Sequence, residues 1–226
     1  VALGLCGCEG SGSNPGQDLT GAAADLSGPA GPDLAGGAVD MTSGRDLTGA
    51  STKFSFFVTS LKALQELSGS ALGFGGNLSY GETGPGAGLR GADKLCRTIA
   101  ERSLPGAGQK TWRAFLSATA DETGKQVNAI ERIGDGPWYD RLGRVLAQNR
   151  AGLLNIRPLG GDPIIKNDFP NEDGVPNHRP DPNMPEVDNH DMLTGTGSDG
   201  KLYGARFTCK DWTANAGDKV NEGQPR

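Results

Sequence analysis

The chain of 226 residues contains 37 glycines and 14 prolines, only 6% of its residues are aromatic, and its net charge is −5. Every aromatic residue lies from Phe54 onward, which predicts an unfolded N-terminal part and a folded remainder. The acidic balance, without any block of Lys or Arg, argues against nucleic acid as a partner. The sequence also lacks the long apolar run that a membrane-spanning helix requires.

The chain begins with a short apolar stretch that ends in Leu5-Cys6-Gly7-Cys8, and a polar segment rich in Gly and Ser follows. This pattern resembles the end of a bacterial lipoprotein signal peptide with its lipobox, here residues 1–8. By that resemblance Cys8 carries the lipid and residues 1–7 are removed. Each buried methylene of an acyl chain would then contribute about 0.8 kcal/mol of membrane affinity. The alternative is a Cys-x-Cys pair that is free or binds a metal.

Residues 9–52 consist mainly of Gly, Ala, Ser, Pro and Asp, with a loose Asp-Leu repeat such as Asp18-Leu19 and Asp25-Leu26. Each repeat unit offers one apolar side chain, so stacked units could not form a core. We therefore predict a disordered, mildly acidic spacer whose end-to-end distance is on the order of 35 Å.

Residues 53–226 have the pattern of one α+β domain. The chain reads as a strand near 53–60, a short helix at 61–67, and an amphipathic helix at 89–102. Apolar side chains share one face of that second helix: Ala92, Leu95, Cys96, Ile99 and Ala100. A strand at 111–117 should follow, with Trp112, Ala114 and Leu116 on one side. Shorter extended or helical pieces are expected near 144–147 and 152–155.

Several motifs in this region occur in a fixed order. Gly91-Ala92-Asp93 precedes Cys96, Arg113-Ala114-Phe115-Leu116-Ser117 follows, and Thr208-Cys209-Lys210-Asp211-Trp212-Thr213 comes near the end. Together they resemble endostatin, the C-terminal domain of collagens fifteen and eighteen, and bacterial lipoproteins with the same layout. The resemblance covers about residues 54–216. It implies a C-type-lectin-like fold with two disulfides.

The sequence departs from that family in two respects. The family pairs four cysteines, first with fourth and second with third, and Cys96 and Cys209 match the first two. The remaining two cysteines and the closing strand are absent before Arg226, so we expect a domain that is incomplete at its C-terminus. A direct Cys96–Cys209 bond is the alternative. Endostatin's zinc site and basic heparin-binding face have no counterpart in this acidic sequence.

A Pro/Asn/Asp-rich segment at 160–191 contains both histidines of the chain and many carboxylates. Oxygen-rich loops suit Ca²⁺, and His with carboxylates suits Zn²⁺. The candidate metal ligands are Asp173, His178, Asp181, Asp188, His190 and Asp191. Their spacing matches no established ligand pattern, and the prolines among them suit a hydrated irregular loop equally well. No cofactor is therefore assigned.

Trp138 and Tyr139 follow Gly136-Pro137 in a turn-like segment. Exposed aromatic rings in such a turn are candidates for stacking on a sugar, and burial in the core is the alternative.

No nucleophile motif of a hydrolase occurs in the sequence, so we do not expect an enzyme. The sequence favours a lipid-anchored, extracytoplasmic binding module at the outer membrane or cell surface, with an unknown extracellular glycan or protein as partner. One alternative is a structural lipoprotein of the cell envelope that has no specific ligand. A metal-assisted hydrolase that uses His178 and His190 is a third hypothesis.

Overall fold

The computed structural model describes residues 53–176 and 192–215, together with the backbone of Ala2–Leu3 and Leu5–Cys8. In these ranges the chain combines helices with short, mainly antiparallel strands, as expected of the predicted α+β class. The spacer predicted at 9–52 and residues 177–191 of the 160–191 segment lie outside the described residues.

Four right-handed α-helices occur in the described part of the chain: α1 (Leu61–Ser68), α2 (Ala87–Ser103), α3 (Ala129–Arg132) and α4 (Arg150–Leu153). The first begins at Ser60, whose hydroxyl accepts a hydrogen bond from the Ala63 N–H at 3.1 Å. It ends at Gly69, which has the positive φ of 67° that glycine adopts without strain. Both longer helices occur where the apolar spacing predicts them.

The strands are short: β1 (Ala2–Leu3), β2 (Leu5–Cys8), β3 (Phe56–Val58), β4 (Trp112–Ala114), β5 (Trp138–Tyr139), β6 (Val145–Ala147) and β7 (Met192–Leu193). The main sheet has the order β3-β2-β4 and is antiparallel throughout. Strands β5 and β6 form an antiparallel pair, and β1 and β7 form a parallel pair.

Strand β2 is the middle strand of the main sheet. Leu5 lies opposite Val58 on one side, and Cys6 lies opposite Ala114 on the other. Within the sheet, β3 and β4 are thus bridged by β2, and the lipobox prediction assigns three of the four residues of β2 to a removed segment. Lipidation at Cys8 concerns a side chain outside the described residues, and it stays a prediction.

The residues of β3 and β4 alternate between two hydrophobic cores. Phe57 and Trp112 face a first core, which also contains the apolar face of α2. Phe56, Val58 and Phe115 face a second core around Trp138. This is the alternation expected of a strand that is buried on both sides. The predicted phase of the strand at 111–117 is therefore confirmed.

Helix α2 approaches neighbouring backbone segments at two glycines. A Cβ atom on Gly91 would lie 2.1 Å from the Leu78 carbonyl oxygen, and one on Gly88 would lie 2.1 Å from the Asp211 carbonyl oxygen. Any larger residue would force the helix away from these segments. The glycines thus permit the close packing of α2 against residues 78–79 and 211–212.

Residues Cys209–Trp212 form one left-handed turn, with φ between 48° and 64° at four successive residues. Left-handed backbone costs a non-glycine residue roughly 1–2 kcal/mol. Tertiary contacts hold the turn in place. The Trp212 indole N–H donates to the Ser117 carbonyl at 2.8 Å, and the Asp211 carboxylate accepts from the Thr119 N–H at 2.6 Å.

Candidate functional site

The aspartate of the Gly-Ala-Asp motif organises the packing of α2 against β4. The Asp93 carboxylate accepts hydrogen bonds from Arg113 at 2.9 Å and from Arg132 at 2.8 and 2.9 Å. It also accepts one from the Ala114 N–H at 2.9 Å. Asp93 thereby joins α2, β4 and α3. Its role is to maintain the fold.

The other motif residues are structural as well. Gly91 makes room for residues 78–79, and Trp212 is fully buried in the first core. The Asp211 carboxylate accepts hydrogen bonds from both the N–H and the hydroxyl of Thr119. A ligand site must therefore be sought outside the motifs on which the resemblance depends.

The two cysteines of the described region differ in state. Cys96, on α2, is disulfide-bonded and only 3% exposed, and its partner lies outside the residues whose side chains the structure describes. Cys209 is a free, half-buried thiol, and burial raises its pKa. The direct Cys96–Cys209 bond considered above is therefore wrong.

Trp138 is not available for stacking on a sugar. Its side chain is 1% exposed, packs in the second core and donates its indole N–H to the Ile133 carbonyl at 3.2 Å. The prediction of a binding role for Trp138 is wrong because strand β5 turns this side chain inward. Tyr139 is half-buried, and the Lys53 ammonium lies 5.3 Å from the centre of its ring.

Of the six candidate metal ligands, only Asp173 lies in the described part of the chain. It is exposed, and its N–H donates to the Asn171 side chain at 3.0 Å in a tight turn. His178, Asp181, Asp188, His190 and Asp191 lie outside the described residues. Within 53–176 and 192–215 no cluster of three or more potential ligands is suited to a metal ion.

Glu172, two residues after Pro170, is a buried carboxyl group with a structural role. It is 6% exposed and accepts a hydrogen bond from the Ser60 N–H at 2.9 Å. The Ser60 hydroxyl donates to the same carboxyl group. Burial raises the pKa of Glu172 above its ordinary value, although both bonds from Ser60 lower it. The contact joins the start of the acidic segment to the N-terminus of α1.

A polar groove of about 370 Å³ lies between the exposed face of α2 and residues 108–113. Its basic lining residues are Arg90, Lys94, Arg97, Lys110 and Arg113, and its acidic ones are Glu82 and Asp93. The volume falls in the range of small-molecule sites, about 300–1,000 Å³. A second recess of about 150 Å³, beside Phe169, is smaller than that range. The larger groove is therefore the candidate site.

Internal contacts hold much of the basic groove in a fixed arrangement. The Arg90 guanidinium donates to the Pro85 and Thr83 carbonyls at 2.5 and 2.7 Å. The Lys94 ammonium lies 3.7 Å from the Glu82 carboxylate, and the Lys110 ammonium donates to the Phe54 carbonyl at 2.7 Å. A ligand would therefore meet cations whose positions are already determined.

Arg97 differs from these neighbours. It is exposed in the groove, and among the residues that the structure describes it has no ion-pair or hydrogen-bond partner. Its guanidinium can make planar, bidentate hydrogen bonds to a carboxylate without breaking an existing contact. Arg97 is thus the strongest candidate for direct contact with a ligand.

The net charge of the whole chain, −5, gives no indication of a basic groove. Arg90, Lys94 and Arg97 are spaced by four and three residues, so they share one face of α2 opposite its buried face. This spacing is a usable signal in the sequence. The contribution of Lys110 and Arg113 depends on how the next strand packs, and no local pattern indicates it.

Comparisons with protein families, with curated proteins and with solved structures yield no match for this chain. Among the described residues, no helix has both the length and the apolar character needed to cross a membrane.

Proposed function

We propose that this chain is an extracytoplasmic binding module, built on a C-type-lectin-like domain, whose ligand occupies the basic groove of α2. The observation on which the proposal depends is the groove itself. It is large enough for a small ligand, and it presents an exposed Arg97, which has no ion-pair or hydrogen-bond partner among the described residues, beside cations held in place by the fold.

The extracytoplasmic location is supported by the state of Cys96. Disulfides form and persist mainly in oxidising compartments, and Cys96 is disulfide-bonded within the first core. The C-type-lectin-like assignment is supported by the structural roles of Asp93, Asp211 and Trp212. These three residues hold a helix, a strand and a turn together, and proteins with the same fold would need residues in such positions.

Attachment through a lipid on Cys8 is proposed as an alternative to a disulfide between Cys96 and Cys6 or Cys8, because processing removes Cys6 and acylation occupies the Cys8 thiol. Processing before Cys8 would remove three of the four residues of β2. A lipidated, processed chain could therefore not form this strand. The intact mass of the protein extracted from cell membranes distinguishes them. An added mass of acyl chains on an N-terminal Cys8 supports the anchor, whereas an unmodified residue 1–8 peptide contradicts it.

A glycan array probed with the full chain tests the binding function. We expect saturable binding to at least one glycan, and loss of that binding when Lys94 and Arg97 are both changed to Gln. The matched control changes Lys62 and Lys125, which are exposed and do not line the groove, to Gln. The absence of any saturable glycan would favour the alternative of a structural envelope component.

A further inference from the structure

Three large apolar side chains protrude from the loop that follows α4. Ile156 is 99% exposed, Ile164 is 66% exposed and Leu159 is 63% exposed. Single exposed apolar residues are ordinary, whereas several on one surface mark a site of interaction. We infer that the surface formed by residues 156–166, which we call the apolar loop, contacts a phospholipid membrane. This inference goes beyond the proposed function and takes from it the extracytoplasmic location and the lipid anchor.

The fold holds the apolar loop in a fixed position. The Leu159 N–H donates to the Gly152 carbonyl at 3.1 Å. The Asp162 N–H donates to the Val145 carbonyl at 2.8 Å. Ile165 is fully buried in the second core. The exposed apolar side chains therefore project from a loop that is anchored to the core of the domain.

The two halves of the apolar loop lie beside each other. A Cβ atom on Gly161 would lie 3.3 Å from the Lys166 Cβ. Ile156 and Lys166 also line one recess of about 150 Å³, in which Phe169 and Met192 are further apolar lining residues. Ile156 and the residues around Lys166 therefore belong to one surface.

The charges of the apolar loop suit an anionic lipid surface. Its basic residues are Arg157 and Lys166, and neither side chain has an ion-pair or hydrogen-bond partner among the described residues. Its acidic residue, Asp162, accepts a hydrogen bond from the Ile164 N–H at 2.9 Å, and Asp168 lines the adjacent recess. The residues that the structure describes include 18 Lys and Arg against 15 Asp and Glu. The folded region thus has an excess of positive charge, which favours anionic head groups.

The shape of this surface favours a bilayer over a protein partner. Ile156 protrudes almost completely, so a protein partner would need a pocket built to receive it. A fluid bilayer accepts protruding aliphatic side chains without such a pocket, and basic side chains beside them reach the head groups. Ile156 and its exposed neighbour Arg157 have this combination.

The proposed lipid anchor would bring the apolar loop close to a membrane. If Cys8 is lipidated, the spacer predicted at 9–52 has a reach on the order of 35 Å, so the domain stays near the bilayer that holds the anchor. Tethering raises the effective concentration of a second contact, so even a weak insertion of the loop would persist. The loop can also insert without the anchor, which allows a test with the unlipidated chain.

Co-sedimentation of the full, unlipidated chain with phospholipid vesicles tests this inference. We expect binding to vesicles of equal parts phosphatidylcholine and phosphatidylglycerol, and weaker binding to phosphatidylcholine alone. Ile156→Ser should weaken binding roughly 3- to 10-fold through loss of buried apolar area, and a triple variant that also changes Leu159 and Ile164 to Ser should abolish it. The matched control is Leu72→Ser, which removes an apolar side chain that is exposed on a different loop and should leave binding unchanged.

Two charge variants locate the contact. Changing Arg157 and Lys166 to Gln should weaken binding to the mixed vesicles about 5-fold for each charge, and should leave binding to phosphatidylcholine unchanged. The groove variant, with Lys94 and Arg97 changed to Gln, should retain vesicle binding. Thermal melts should show that all of these variants remain folded, because the substituted side chains lie at the surface.

Three results would overturn the inference. The first is the absence of binding to either kind of vesicle. The second is binding that persists in the triple Ser variant, including the case in which the groove variant abolishes it and so places the lipid head group at α2. The third is a dimer in sedimentation velocity that dissociates in the triple variant, without vesicle binding, because the apolar loop would then contact a second copy of the chain. Each of these results leaves the glycan test of the groove standing.

Discussion

Replacement of Asp93 by Asn should destabilise the domain strongly. The carboxylate is 13% exposed and accepts from the guanidinium of Arg132, which is 11% exposed, and from Arg113, which is 39% exposed. The amide of Asn has no charge and one acceptor atom fewer, so Arg132 would keep its charge in a poorly hydrated position. Removing one partner of a buried ion pair typically costs about 3–5 kcal/mol. Because one of the two guanidinium groups is partly hydrated, we expect the lower end of that range.

The assay is urea denaturation, followed by a thermal melt. A loss of about 3 kcal/mol corresponds to a fall in Tm of roughly 6–12 °C for a domain of this size. The control is Asp135→Asn, because Asp135 is 89% exposed and 3.2 Å from Arg150. That exposed pair should contribute less than about 1 kcal/mol. If the Asp93 variant lost no more stability than the Asp135 variant, Asp93 would not be the structural centre described above.

Three further predictions concern stability. Gly91→Ala should destabilise the protein because the added Cβ would clash with the Leu78 carbonyl oxygen. Helix propensity alone would favour Ala by about 1 kcal/mol, so a variant that is more stable in urea denaturation would contradict the packing described. Because the pKa of Glu172 is raised in the folded state, the folded protein binds the proton of this carboxyl group more tightly than the unfolded protein does. The protonated carboxyl group therefore stabilises the fold at low pH, and this stabilisation is lost as the pH rises through the raised pKa. The stability of the wild type relative to Glu172→Gln should therefore fall as the pH rises above about 4, and parallel curves would refute this. Non-reducing peptide mapping of the full chain should find Cys96 bonded to Cys6 or Cys8, since Cys209 is free. Loss of that disulfide in Cys96→Ser should lower the free energy of unfolding by about 2–5 kcal/mol. A free Cys96 thiol would contradict both expectations.

Local sequence patterns predict those elements whose causes are local. Helix α2 follows from the spacing of Leu95, Cys96 and Ile99, and α1 follows from its apolar residues between Ser60 and Gly69. The alternation at 111–117 predicts both the strand and the side on which Trp112 lies. In each case the buried face has the period of the element itself.

The remaining features depend on contacts between distant parts of the chain. Strand β2 pairs with residues about fifty and one hundred positions further along, and a short apolar stretch at the start of the chain resembles a signal peptide more than a strand. The left-handed turn at Cys209–Trp212 is held by Ser117 and Thr119, so its own residues do not indicate it. The turn-like sequence around Trp138 likewise does not indicate that the indole is buried.

The candidate site likewise combines one feature that local sequence indicates with one that depends on distant contacts. The periodicity of Arg90, Lys94 and Arg97 on α2 is visible in the sequence, whereas the approach of residues 108–113 is a result of packing. Whole-chain net charge averages over surfaces of opposite sign. It therefore excludes a strongly basic protein without excluding a basic groove.

The central claim is that the ligand of this chain occupies the groove beside α2. An NMR titration of the ¹⁵N-labelled full chain with a glycan that binds on the array tests it most directly, because the amide signals report where the ligand binds. We predict saturable shifts confined to residues 90–97 and 108–113, and their loss in the Arg97→Gln variant. Saturable shifts that map to another surface, or that persist unchanged in that variant, would contradict the account.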